Sequence, residues 1–159
     1  MAKSILDGRR ILAVDDEPDV LAVLEVEILE VCSNCLFEKA TTYTQAAEML
    51  KANTYDIVIL DIMGVRGFDL LELAAGHNLR VAMLTAHALS AEALKKSHDL
   101  GARAYLPKDK LGEIIPFLED VLKYDAKTGW KRLMEKLDDF FDGHFEPDWK
   151  KKIGAKHWF

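Results

Sequence analysis

The chain has 159 residues, half of them apolar, and a formal net charge of -6, enough for one buried core with an appendage. Residues 1–124 carry 13 Lys/Arg against 20 Asp/Glu, whereas residues 125–159 carry 8 against 7, and the acidic front portion argues against a nucleic-acid partner. No run approaches the ~20 apolar residues of a membrane span, and the charged N-terminal stretch lacks the apolar segment of a signal peptide, so a cytoplasmic protein without a membrane partner is expected.

Ile11 to Val14 reads as a first strand, and Pro18 suits the first turn of a helix whose apolar face is Val20, Leu21, Leu24, Ile28 and Val31. The only cysteines, Cys32 and Cys35, form one C-x-x-C. Without a second pair they read as loop or core cysteines ahead of a half zinc site or redox pair. Leu36 to Ala40 is a short strand, Thr44 caps a helix through about Lys51, and Ile57 to Leu60 is a third strand. A helix over Phe68 to Ala75 ends near Gly76, and a strand over Val81 to Leu84 follows. Next come a helix capped by Ser90 and stopped before Gly101, a strand through Tyr105, and a helix from about Leu111 to Tyr124. Five strands alternating with five helices through right-handed crossovers predict an α/β, doubly wound parallel sheet with helices on both faces.

Asp15 and Asp16 follow the first apolar run, Asp61 the third, Thr85 the fourth and Lys108 the fifth. Strands buried on both faces read as continuous apolar runs, and their carboxyl ends gather on the edge where open α/β sheets place their sites. Three carboxylates, a hydroxyl and an ammonium are therefore expected in one crevice. A strand-end aspartate can attack a phosphoryl group once a divalent cation and a fixed positive charge neutralise the phosphoryl oxygens. Asp16 and Asp61, supported by Asp15, a backbone carbonyl and water, suit Mg²⁺, which takes few protein ligands. Lys108 then pairs with phosphoryl oxygens, and the Thr85 hydroxyl bonds one of them.

Four motifs carry a resemblance: Leu-Ala-Val-Asp15-Asp16-Glu17, Val-Ile-Leu-Asp61-Ile, Met-Leu-Thr85-Ala86-His87 and Gly101-Ala-Arg-Ala-Tyr105-Leu-Pro-Lys108. In order and spacing they resemble the receiver domain of bacterial two-component response regulators, over roughly residues 8 to 124. The resemblance implies a flavodoxin-like five-stranded sheet of order 2-1-3-4-5 and a phosphorelay role. Asp61 would accept a phosphoryl group from a sensor histidine kinase or phosphotransfer protein, and the acyl phosphate would later hydrolyse in the same site. Asp16 and the Met63 carbonyl would join Asp61 on Mg²⁺. Thr85 would move toward the phosphoryl group and Tyr105 would turn inward, reshaping the surface of the fourth helix, fifth strand and fifth helix.

The chain departs from the usual pattern in three places. Its loop Asp61-Ile-Met-Gly64-Val-Arg66-Gly67 is short and lacks proline, Asp109 stands where many relatives have proline, and Ala86 is small, which suits access to the site. The first two leave room for a scaffold that works without phosphate. A phosphotransferase of the haloacid dehalogenase type also uses an aspartyl nucleophile, but it needs Asp-x-Asp, and Asp15-Asp16 is spaced differently.

Residues 1–124 are thus expected to form the receiver and 125–159 a helical extension. All three tryptophans lie in the extension, and Trp130, Leu133, Met134, Leu137, Phe140 and Phe141 form an amphipathic stripe on a helix from about Thr128 to Asp142, ended by Gly143. The extension is too short and too evenly charged for a DNA-binding output domain. The stripe is expected to pack back on the receiver. Its alternative is to dock on an unknown downstream protein, or pair with a second copy as a homodimer, under control of phosphorylation. The expected role is a switch of protein–protein interaction that catalyses only its own phosphorylation and dephosphorylation.

Overall fold

In the computed structural model, which describes residues 4–86 and 90–159, the chain runs β1 (Arg10–Val14), α1 (Pro18–Val31), β2 (Leu36–Ala40), α2 (Tyr43–Ala52), β3 (Ile57–Asp61), α3 (Gly67–Gly76), β4 (Val81–Thr85), α4 (Ala91–Asp99), β5 (Ala104–Pro107), a 3-10 turn (Lys108–Glu113), α5 (Ile114–Lys123), α6 (Ala126–His144) and α7 (Trp149–Ile153). A last 3-10 turn spans Ala155–His157. His87, part of the third motif, lies outside the described residues.

The five strands form one parallel sheet in the order β2-β1-β3-β4-β5, as expected. Every residue of β3, β4 and β5 is buried, which requires cover on both faces; α1 packs with α5, and α2 with α3. Strand β2 is one of the two edges, and there Glu38 and Lys39 carry charge, which discourages pairing with another chain. Pro18 does open α1, and Val20, Leu21, Leu24 and Ile28 are buried. Val31, the last residue of the helix, departs from the expected stripe at 44 % exposure.

Several boundaries differ from expectation. Thr42, not Thr44, caps α2, accepting from the Gln45 N–H at 3.2 Å. The Gln45 side chain reaches back to the Thr41 N–H at 3.1 Å, a reciprocal arrangement of the capping-box kind that favours this register. Ser90 caps α4 as expected, accepting from Ala93 N–H at 3.1 Å. Helix α5 begins at Ile114 rather than Leu111, so that Pro116, which has no N–H, sits in the first turn where none is required. Helix α6 starts at Ala126, capped by Asp125 on the Thr128 N–H at 2.8 Å, and runs through Gly143. A helical glycine costs only ~1 kcal/mol, and the buried Phe141, stacked on Phe145, holds the last turns. The helix stops where Glu146 precedes Pro147, a position that disfavours helical backbone. Helix α7 has no counterpart in the sequence expectations.

The C-terminal helices pack back on the sheet. Trp130, Leu133, Met134, Leu137 and Phe141 are buried, while Phe140 is only half-buried and stacks on His144. The Trp130 indole donates to the Ala102 carbonyl at 3.0 Å, and Asp120 of α5 accepts from Arg132 at 3.0 Å and Lys136 at 2.9 Å. Helix α7 lies against α4. Cys32 and Cys35 are buried free thiols that both donate to the Leu6 carbonyl, at 3.3 and 2.8 Å. Burial pushes the Cys35 thiol up to about 12, which suits core cysteines rather than reactive ones.

Candidate functional site

The expected crevice exists at the carboxyl edge of the sheet. Asp15 follows β1 and is fully buried; its Oδ1 accepts from the Glu17 N–H at 2.9 Å, a local turn that launches α1. Asp61 and Thr85 are the last residues of β3 and β4, and both are buried. Lys108 directly follows β5 and turns its ammonium back over the edge, 2.9 Å from Asp15 Oδ2 and 3.1 Å from Asp61 Oδ1. Asp15, Asp16 and Asp61 each offer a carboxylate oxygen within 4.8 Å of the others. The cleft between them, about 180 Å³, is lined by Asp16, Glu17, Asp61, Ile62, Met63, Gly64, Thr85, Ala86 and Lys108.

All the expected polar residues therefore meet, and Met63 lies on the lip of the cleft with its side chain out in solvent. Tyr105 is a β5 residue buried one layer away. Its hydroxyl donates to the Ser90 carbonyl at 3.4 Å and lies within hydrogen-bonding reach of the Thr85 side chain. The Thr85 hydroxyl itself donates to the Ala86 carbonyl at 3.3 Å.

Three features escaped the sequence. Glu17 is the N-cap residue of α1, and its side chain accepts from the Lys108 ammonium at 3.1 Å. Gly64 has φ of +84°, and a Cβ there would fall 2.5 Å from Asp16 Oδ2, so only glycine lets the short loop close on that carboxylate. Gly67 is equally constrained, because a Cβ would meet the Asp61 carbonyl at 2.1 Å. The available signal was Gly64 itself, three residues after Asp61 in a short loop that lacks proline.

The electrostatics are unbalanced. Burial, then the charge of Asp15, pushes the Asp61 carboxyl up to about 6, with Lys108 opposing. Burial likewise raises Asp15 above the usual carboxylate range. Burial works against the Lys108 ammonium, but the bonds to Asp15 and Asp61 outweigh it and hold the amine above its ordinary value. The two readings agree once charges are counted: a single ammonium faces Asp15, Asp16, Glu17 and Asp61, so it is stabilised while the acids remain in excess. An all-oxygen, acid-rich hollow in which one ammonium faces four carboxylates fits a small hard dication.

Comparison with known proteins converges on one family. The sequence matches the profile of the response regulator receiver domain over residues 11–118. It is 35% identical over 133 residues to a two-component response regulator of Arabidopsis thaliana, covering 79% of this chain but only 20% of that protein; the chain thus spans about a fifth of that relative. The fold is similar to a putative response regulator from Chloroflexus aurantiacus (TM-score 0.63, 24% identity, 73% of this chain and 98% of that one). It is also similar to a response regulator from Burkholderia pseudomallei solved with a phosphorylated aspartic acid, a calcium ion and citrate (TM-score 0.65, 18% identity, 78% and 72%). A receiver profile over two-thirds of the sequence, on a sheet of order 2-1-3-4-5 with an acidic cleft at its strand ends, places this chain in the response regulator receiver family of two-component systems.

Proposed function

We propose that Asp61 is the phosphoacceptor of a phosphorylation-switched interaction module. An Asp61 carboxylate oxygen attacks the phosphorus of a phosphohistidine on a sensor kinase or phosphotransfer protein. The P–N bond breaks, the imidazole takes a proton, and an acyl phosphate forms. Water later attacks the same phosphorus and releases inorganic phosphate, restoring the carboxylate. The observation that carries this reading is the placement of buried Asp61 at an open cleft, with Lys108 Nζ 3.1 Å from Oδ1 and two further carboxylates alongside.

Lys108 is already positioned to pair with incoming phosphoryl oxygens as a fixed charge, and the Thr85 hydroxyl can turn from the Ala86 carbonyl to one of them. Asp15, Asp16 and Asp61, with the Met63 backbone carbonyl, would hold Mg²⁺, which neutralises charge on the transferring group. Small Ala86 leaves the cleft open to a bulky donor. Residues 1–124 act as the receiver and 125–159 as its extension, in the cytoplasm, where histidine kinases present their phosphoryl groups. The module acts on no separate substrate; its product is a changed surface for a protein partner.

Incubation with acetyl phosphate and Mg²⁺ tests the assignment. The expected result is a mass gain of one phosphoryl group in the full chain and none in Asp61→Asn. A gain that survives Asp61→Asn, or no gain in the native chain, overturns it, the latter in favour of a phosphate-independent scaffold.

A further inference from the structure

The positive charge at the cleft is already taken. The Lys108 ammonium has three N–H groups, and three carboxylate oxygens stand around it: Asp15 Oδ2 at 2.9 Å, Asp61 Oδ1 at 3.1 Å and Glu17 Oε1 at 3.1 Å. A phosphoryl oxygen that pairs with Lys108 must take the place of one of them. Asp15 and Asp61 are buried, and Asp61 is itself the acceptor, whereas the Glu17 side chain is 61 % exposed at the mouth of the cleft. Of the three, only Glu17 can turn out into water.

Glu17 also forgoes the local task of its position. It is the N-cap residue of α1, where a short Ser, Thr, Asp or Asn side chain would accept from a free helix N–H, yet its side chain makes no cap bond. The helix start is secured without it. Asp15 Oδ1 accepts from the Glu17 N–H at 2.9 Å, Pro18 brings a preset φ to the first turn, and Asp19 places a negative charge at the positive end of the helix. The long acidic side chain is thereby left to reach Lys108, 91 positions away.

We propose that Glu17 is a competing carboxylate: it occupies the place of a phosphoryl oxygen on Lys108 and so sets how tightly the cleft holds a phosphoryl group. The proposal rests on Asp61 being the phosphoacceptor and adds no covalent step to that transfer. In the free chain the Glu17 carboxylate accepts from the ammonium; in the phosphorylated chain a phosphoryl oxygen accepts in its stead, and Glu17 is returned to water. The loaded form therefore forfeits one ion pair that the free form keeps. Exposed ion pairs are weak, so the penalty on affinity is about twofold to fivefold. That is the scale of a tuning group, not of a lock.

Two substitutions at this exposed position separate contact from charge. Glu17→Gln keeps the length of the side chain and removes its charge. Glu17→Asp keeps the charge but is one methylene shorter, and at an N-cap its oxygen is drawn to the helix N–H groups. The full chain and both variants are titrated with beryllofluoride, a phosphoryl mimic, at Mg²⁺ concentrations that saturate each protein, and binding is followed by the fluorine resonance of the bound species. Parallel samples receive acetyl phosphate and Mg²⁺, with mass gain followed over time. The expected result is that Glu17→Gln binds beryllofluoride about twofold to fivefold tighter and gains phosphoryl faster by a similar factor, and that Glu17→Asp shares most of the gain. Unchanged or weaker binding in Glu17→Gln overturns the proposal. So does tighter binding in Glu17→Gln with native behaviour in Glu17→Asp, because charge at the cleft mouth would then act without the contact. Either result, with a mass gain that Asp61→Asn abolishes, leaves the phosphoacceptor assignment standing, whereas no mass gain in the native chain removes both.

Discussion

Lys108 and Asp61 end different strands yet meet across the cleft, Nζ to Oδ1 at 3.1 Å, and the ammonium is the only positive charge that the described residues bring into the acidic cluster. Removing it leaves buried carboxylates uncompensated, a change that costs about 3 kcal/mol in comparable settings. Lys108→Ala should therefore unfold at lower urea near pH 7.5 and should lose phosphoryl acceptance. The stability loss should shrink on acidification below about pH 6, the raised value of the Asp61 carboxyl, where that acid takes up a proton and no longer needs its partner. Urea titrations at the two pH values check this; an equal loss at both would show that Lys108 acts through packing.

The sign of the Asp61 contribution is fixed by its raised carboxyl. From an ordinary value of 3.8 it stands at about 6 in the fold, chiefly through burial, so the folded chain binds the proton more tightly than the unfolded one. Its contribution is full below about pH 4 and is lost as pH rises through about 6. In metal-free protein, Asp61→Asn should accordingly gain on the native chain as pH rises, reaching on the order of 3 kcal/mol at neutral pH. Adding Mg²⁺ should erase most of the difference. Denaturation curves that run parallel from pH 4 to 7.5 would contradict it.

The sheet and the cluster were legible because strands covered on both faces must be unbroken apolar runs, and Asp15, Asp61, Thr85 and Lys108 terminate four of them. The rest depended on long-range geometry. Glu17 reads as an acid favouring a helix start, and nothing local says that it serves a lysine 91 positions away. Gly64 reveals its necessity only once the loop closes on Asp16. The amphipathic stripe of α6 announced a buried face but not its cover, since a 3.6-residue period carries no information about what lies opposite. Gly143 misled for a related reason: tertiary packing of Phe141 and Phe145 outweighs the modest intrinsic penalty of glycine within the helix.

Gly64 tests the shape of the cation site independently of Asp61. A ligand at ten times its Kd stabilises the fold by about 1.4 kcal/mol, and the native chain should show that gain with Mg²⁺ in thermal unfolding. In Gly64→Ala the added methyl group, placed 2.5 Å from Asp16 Oδ2 on backbone at φ of +84°, must displace the carboxylate or the loop. The variant should lose about 1 kcal/mol of metal-free stability to backbone strain and most of the Mg²⁺ gain. A full Mg²⁺ response in Gly64→Ala would mean that Asp16 is not a ligand.

Trp130 tests how the C-terminal segment is fastened. Its indole N–H donates to the Ala102 carbonyl at 3.0 Å in a buried setting, and its ring meets His98 edge-on at 5.2 Å. Trp130→Phe keeps much of the apolar area but removes the donor, leaving that carbonyl unpaired, at a cost of about 1–3 kcal/mol. The bond joins α6 to the residue two before β5, not one strand to another. The loss should therefore appear as faster amide exchange across residues 126–159 while the amides of β1, β3 and β4 keep their protection. If the strand amides lost protection in step with α6, the segment and the sheet would be one cooperative unit.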